Sequence, residues 1–217
     1  MSSSLAIIWQ QRDVMLNGLL MTLELSVAGA LLAGVLGVLI FLGLISRSRV
    51  LRLSLVLLVD TMRCVPFMLF AYLLYYGLPY AGIMLGNFTV GIASLAIYHA
   101  SYIAELLRGA WKEQPVEIKE ASVAFGFHGW RRLRIILPPV AIAAIPMLGS
   151  SAIQVIKDSA FLVIIAVEEL TYSANEIQST YYVPFASFIC AVLCYWILCL
   201  LVEGGVQFMS ARTRLRR

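Results

Sequence analysis

The chain has 217 residues, 61% of them hydrophobic and only 13% charged, with a formal net charge of +4. The charged share is about half that of a typical soluble domain, which excludes a soluble monomer, and the wealth of apolar residues excludes a disordered chain. An integral membrane protein remains: a span takes roughly 20 apolar residues, so the length holds about five or six helices and leaves no room for a soluble domain.

Residues 1–13 lack the small-residue cleavage site of a signal peptide, and the apolar run that follows is too long for a signal core, so 14–45 reads as an uncleaved first span. Further spans are expected at 53–76, 88–107, 140–167 and 184–209, giving an all-α membrane domain over 1–217. The loop 46–52 carries Arg47, Arg49 and Arg52 without an acid, whereas 77–87 carries no charge. Residues 108–134 hold six bases, while 168–183 holds Glu168, Glu169 and Glu176 and no base. With Arg212, Arg214, Arg216 and Arg217 in the tail, thirteen of sixteen basic residues fall on one side. The positive-inside rule then sets the N-terminus outside and the C-terminus in the cytoplasm, with five spans between them. Cys64, Cys190, Cys194 and Cys199 lie in apolar runs and read as small buried hydrophobes. Five spans do not divide into two inverted halves, so a path across the bilayer needs a second copy or a partner subunit.

The cytoplasmic segment 113–130 is punctuated as a helix. Pro115 suits a first helical position, Glu117 and Glu120 face the positive end of the helix dipole, and Gly126 is placed to end it. Ile118, Ala121 and Phe125 form a narrow apolar stripe on a helix of about eleven residues. A helix this short is marginal alone in water. Its stripe needs a cover: the rest of the same protein, lipid headgroups, or another chain that takes the helix in a groove.

Glu120-Ala121-Ser122, then Gly126, then Ile135-Ile136-Leu137-Pro138 resembles the cytoplasmic EAA motif of permease subunits of binding-protein-dependent ABC importers. Other pieces resemble the polar amino acid branch in the same order: Gly18, Thr22, Leu23 and Ser26; Arg63 and Pro66; Tyr102, Glu105, Arg108 and Gly109; Pro146; and Lys157, Asp158 and Ser159. The sequence departs from that branch at Glu117-Ile118, where a Gly-Gln pair is usual, in Ser122 for Ala, and in a Gly126 to Pro138 spacing one residue short. The resemblance implies a permease in the bacterial inner membrane that pairs with an identical or related subunit around a translocation path. It implies an extracytoplasmic solute-binding protein and an ATP-binding cassette ATPase, which Glu120, Ala121, Ser122 and Gly126 would engage. No Gly-Lys dipeptide occurs, so a P-loop is lacking. ATP and Mg would sit on the partner ATPase; no cofactor, metal site or catalytic residue is expected in this chain.

Ionisable groups inside spans are costly and mark candidate sites. Arg63 can pair with Asp60, and Glu105 with Arg108, along one helix face each. Lys157 and Asp158 are adjacent and so cannot face each other, with Gln154 and Ser159 as polar neighbours. A path lined by one acid and one base could hold an amino acid, so Lys157, Asp158, Ser159, Arg63 and Glu105 are the candidates for it, with Glu24 a weaker one. His99 and His128 have no ligand-type neighbours in sequence. Two other classes compete. An intramembrane enzyme would need a catalytic constellation, and Gly149-Ser150-Ser151-Ala152 runs on to Ile153 where a nucleophile elbow needs Gly. A homo-oligomeric channel would conduct without an ATPase.

Overall fold

In hydrocarbon every backbone N–H and C=O must find its partner within the segment, so apolar runs free of turn residues propagate as long helices. The computed structural model describes residues 2–214, leaving Arg216 and Arg217 of the basic tail outside the described residues. It contains α1 Ser2–Gln10, α2 Arg12–Leu44, α3 Arg49–Cys64, α4 Phe67–Tyr80, α5 Asn87–Lys112, α6 Val116–Ala124, α7 Gly129–Ser159, α8 Leu170–Tyr181 and α9 Pro184–Arg214. A 3-10 stretch, Ala160–Ile165, continues α7. Among the described residues four helices, α2, α5, α7 and α9, are long and apolar enough to cross a membrane, and α3 with α4 makes a fifth candidate that is bent by 106°.

That bend departs from the uninterrupted span expected at 53–76. Pro66 has no N–H to continue the ladder and pushes the residue before it into extended backbone, and Val65 accordingly sits at φ −86°, ψ 133°. Two tyrosines of α5 satisfy carbonyls at the break: Tyr98 donates to Val65 O at 3.0 Å and Tyr102 to Arg63 O at 3.3 Å.

The segment 168–183, read from sequence as a loop, contains α8. Glu169 caps it, accepting from the N–H groups of Thr171 and Tyr172 at 2.9 Å each. Thr22 of α2 accepts from Leu170 N at 3.1 Å while donating to Gly18 O. A Cβ at Gly18 would stand 3.1 Å from Leu170 Cα and closer still to Ser173. The Gly18 to Thr22 spacing therefore has a structural cause: the glycine admits the start of α8 and the threonine binds it.

The core is built around α5, where Leu95, Ala100 and Ala104 are fully or almost fully buried. It meets α2 at Gly29, which faces Leu95, and at Gly37, which faces Ile103. The cysteines are free, but Cys64 is exposed and the other three are half-buried, so the expected burial is not met.

α6 is shorter than the eleven residues expected, and Pro115 stands at the N-cap with φ −50°, ψ 136° rather than inside the first turn. Gly126 ends the segment at φ +72°, a left-handed value that favours glycine. Its N–H donates to Val123 O and that of Phe127 to Ser122 O. Ser122 is buried and accepts from Arg132 Nε of α7 at 3.0 Å. Glu120 and Ala121 are exposed, and so are Val116, Ile118, Val123 and Phe125. Among the described residues, the chain's own membrane domain leaves the apolar stripe uncovered.

Candidate functional site

Helical periodicity brings the polar residues of two spans together. On α5, Tyr98, Tyr102 and Glu105 follow at i, i+4 and i+7; on α7, Ser151, Gln154 and Asp158 follow at i, i+3 and i+7. With the elbow between α3 and α4 they enclose a cavity of about 660 Å³. Arg63, Tyr98, His99, Tyr102, Glu105 and Asp158 all line it.

Asp158 is 5% exposed. Its Oδ1 accepts from Gln154 Nε2 at 2.9 Å, and its Oδ2 lies 3.2 Å from Nε2 of His99, itself 1% exposed. The two carry opposite charge when the imidazole is protonated. The contact is close but out of line for a hydrogen bond, so His99 Nε2 is a buried polar atom without a hydrogen-bond partner among the described residues. Phe67, Tyr98 and Tyr102 surround the imidazole, with ring centroids at 6.2, 5.4 and 6.1 Å.

Six residues further along α5, about 9 Å at 1.5 Å per residue, the charges are mixed. Glu105 takes a two-pronged contact from Arg108, at 2.6 Å from Nε and 2.5 Å from Nη2. Arg63 lies 4.0 Å from both Asp60 and Glu105, with its guanidinium 5.8 Å from the centre of the Tyr102 ring. The two separate pairs expected from sequence are thus one network of two acids and two bases.

Of the five path candidates, the structure brings together Arg63, Glu105 and Asp158. Lys157 points away, as neighbours on a helix must, into a groove between α7 and α9. Ser159 is fully buried and donates to Ile156 O at 2.8 Å, so it lines neither space. Glu24 is exposed on α2 and lines neither. His99 was passed over in the sequence because its partner Asp158 stands 59 positions away. The only local signal is its place one turn before Tyr102.

The family described as binding-protein-dependent transport system inner membrane component matches residues 29–215. The probable glutamine ABC transporter permease protein GlnM of Bacillus subtilis (strain 168) is 30% identical over 210 residues, covering 96% of this chain and 97% of the relative. The arginine ABC transporter permease protein ArtQ of Haemophilus influenzae is 29% identical over 214 residues, covering 94% and 96%. Among solved structures, that of an amino acid ABC transporter with histidines superposes with a TM-score of 0.88 at 26% identity, over 94% of this chain and 96% of the other. An inward-facing form of the MetNI methionine ABC transporter, at 18% identity and a TM-score of 0.68 over 91% and 97%, shares the fold. A match over most of the chain, full-length relatives and a shared helix arrangement agree: the chain belongs to the binding-protein-dependent transport system inner membrane component family and is a permease subunit of an ABC importer.

Proposed function

We propose that the chain carries polar amino acids through the cavity between the α3–α4 elbow, α5 and α7, working with a second permease subunit in a bacterial cytoplasmic membrane. The arrangement of Asp158, His99, Arg63 and Glu105 around that one cavity supports this most directly. An amino acid bears an ammonium and a carboxylate, and the cavity offers each a counter-charge: Asp158 of α7, level with the middle of α5, and Arg63 of α3, toward the basic end of α5. The substrate named for the relatives, glutamine in one and arginine in another, is of this class.

In this reading the arginine-rich ends of the spans face the cytoplasm. An extracytoplasmic binding protein delivers the solute at the opposite face. A separate ATP-binding cassette ATPase, which holds ATP and Mg, takes the exposed stripe of α6 in a groove, with Glu120, Ala121, Ser122 and Gly126 fixing the shape and charge of that helix. Because Ser122 is held by Arg132 of α7, a displacement of α6 reaches the helix that carries Asp158. Substrate favours one orientation of the path only through its differential affinity for the two.

The test is uptake by the complex reconstituted in vesicles. Asp158→Asn keeps the shape of the site and an acceptor for Gln154 while removing the charge, and is expected to abolish uptake while the complex still assembles. Gly126→Val, which forces a branched residue to φ +72°, and Glu120→Lys are expected to weaken ATPase capture or its coupling to uptake. Unchanged uptake and assembly in all three would overturn the assignment.

A further inference from the structure

Asp158 Oδ2 lies 3.2 Å from His99 Nε2, yet that nitrogen, on a ring 1% exposed, has no hydrogen-bond partner among the described residues. A buried polar atom left in this way needs a physical reason. The imidazole has a neutral and a protonated form, and the two leave the contact in different states. A neutral ring leaves Asp158 with its full charge at the level of mid-α5, where an ionised group is costly. With its lone pair on Nε2 it also sets two acceptors 3.2 Å apart with no donor between them. A protonated ring balances the carboxylate, and the cavity then offers no uncompensated acid at that depth.

The other groups around the imidazole do not supply that balance. Tyr98 and Tyr102 of α5 flank it, and Phe67 of α4 adds a third ring. Phe161, beyond the end of α7, lines the same cavity without a charge. Glu105 lines it one and a half turns further along α5 but is engaged by Arg108, and Arg63 of α3 stands beside Glu105 rather than Asp158. Lys157 leaves α7 on the opposite side, into a different groove. Gln154 donates to Oδ1 and brings no charge. Two things can complete the pair: a proton on His99, or an ammonium that enters from the cavity and donates to both Oδ2 and Nε2. Each adds one positive charge to a site with one negative charge, and both together overfill it.

We propose that His99 is a positioning residue for transport: its proton competes with the ammonium of the solute for Asp158, so the solute binds with release of that proton to water on the open side of the path. Linkage makes the effect mutual, since whatever factor the proton takes from the affinity for solute, the solute takes from the affinity for the proton. Acid therefore favours the protonated ring and weakens solute binding, while a rise in pH frees the carboxylate and strengthens it. The ring balances Asp158 while no solute is there and yields when one arrives. The inference rests on the reading that an amino acid passes through this cavity with its ammonium at Asp158, and it names what regulates that site.

The test is uptake of labelled glutamine and labelled arginine by the whole complex in vesicles, with ATP and a fixed pH inside. The outer pH is stepped between about 8 and 5, where an imidazole changes charge and neither probe does. His99→Gln carries an amide to the place of Nε2 and does not titrate; it should assemble with the ATPase and import at the upper end of that range. On acidification the ratio of native to variant uptake at subsaturating probe should fall roughly tenfold or more, by at most tenfold per pH unit, the limit for one proton. Effects of pH on the ATPase and on the binding protein cancel in that ratio. At saturating probe the ratio should stay level, because competition raises KM and leaves kcat alone. A ratio constant with pH at subsaturating probe would overturn the proposal, and so would a change confined to kcat, which is what a purely structural histidine gives. Should His99→Gln fail to assemble, the proton is counted on the native complex by calorimetry with the same probes in two buffers of different ionisation enthalpy. Proton release that grows toward acid is expected there, and binding without release at every pH overturns the proposal. If the native complex takes up neither probe at any pH, the amino acid reading of the cavity falls, and with it more than the role of His99.

Discussion

Of the long helices, α5 is the most covered, with 67% of its apolar window buried, and α9 the least, with 11%, yet α9 is the more apolar of the two. A soluble protein would place them the other way round. Lipid tails are as apolar as leucine, so hydrophobicity does not sort helices within a bilayer; close packing and polar contacts do. α5 buries Gly91, Ser94, Ala96, Ala100, Ser101 and Ala104, and α2 answers with Gly29 and Gly37, which bring the backbones together. α9 presents Leu193, Ile197 and Leu201 outward, where lipid serves as well as protein.

The strongest way to break this contrast is to remove the polar anchor of α5. His99→Leu takes the imidazole away from the buried Asp158 carboxylate and leaves Gln154 as its remaining partner, and a buried carboxylate left under-satisfied costs about 3 kcal/mol. Reversible unfolding in mixed micelles should show a loss of that order. The double change His99→Leu with Asp158→Leu removes the charge as well and should recover most of the stability while uptake stays absent. A double variant as unstable as the single one would mean that packing, not charge, holds α5 to α7.

A smaller loss is expected at the α2–α5 seam. A Cβ at Gly37 would stand 2.7 Å from Ile103 Cγ2 and 3.1 Å from the Ala100 carbonyl, so Gly37→Leu should cost about 1–3 kcal/mol. Leu201→Ala on the outer face of α9 should stay within about 0.5 kcal/mol. Equal losses at the two sites would erase the distinction between a packed helix and a lipid-facing one. Next come the tyrosines that mend the elbow. Tyr98→Phe and Tyr102→Phe each free a carbonyl in a cavity wall, at about 0.6–1.5 kcal/mol apiece. Loss of stability with unchanged uptake would make the elbow a structural feature alone; a shift in uptake beyond the loss of folded protein would make it part of the path.

The long spans were legible because unbroken apolar runs leave the backbone no other way to satisfy itself, and α6 because Pro115 and Gly126 bracket it. Glu105 with Arg108 was legible as a pair three residues apart. His99 with Asp158 was not, since a contact across 59 residues depends on which faces of α5 and α7 meet, and α5 is small and polar on several sides. The side of α7 taken by Lys157 follows from its adjacency to Asp158, but what lies there depends on where α9 packs. The bend at Pro66 was half visible: proline marks a break, while the partners of the carbonyls it frees, Tyr98 and Tyr102, depend on where α5 packs. α8 was hidden because its cap is Glu169, which looked in sequence like one more acid of an outer loop.

Glu169 also offers the finest test of how α9 is held. Fully buried outside the apolar spans, it caps α8 and accepts from Tyr195 of α9 at 2.5 Å, with Thr171 bridging to the same phenol at 3.1 Å. Burial pushes its carboxyl above the usual range, against the pull of the hydrogen bonds from Tyr195, Thr171 and Tyr172. The folded protein therefore holds this proton more tightly than the unfolded chain. Its contribution to stability is greatest below the unfolded carboxyl pKa of about 4.3 and declines as pH rises through the folded value, with a slope of at most one proton, about 1.4 kcal/mol per pH unit. Glu169→Gln cannot titrate, so the difference in unfolding midpoint between native and variant should change with pH over that interval and be level above it. At neutral pH the variant should lie within about 1 kcal/mol of the native protein, because a neutral amide loses one acceptor for the cap but sheds a buried charge. A difference that stays constant with pH would mean that α9 is held here by hydrogen-bond geometry alone, with no contribution from the buried charge.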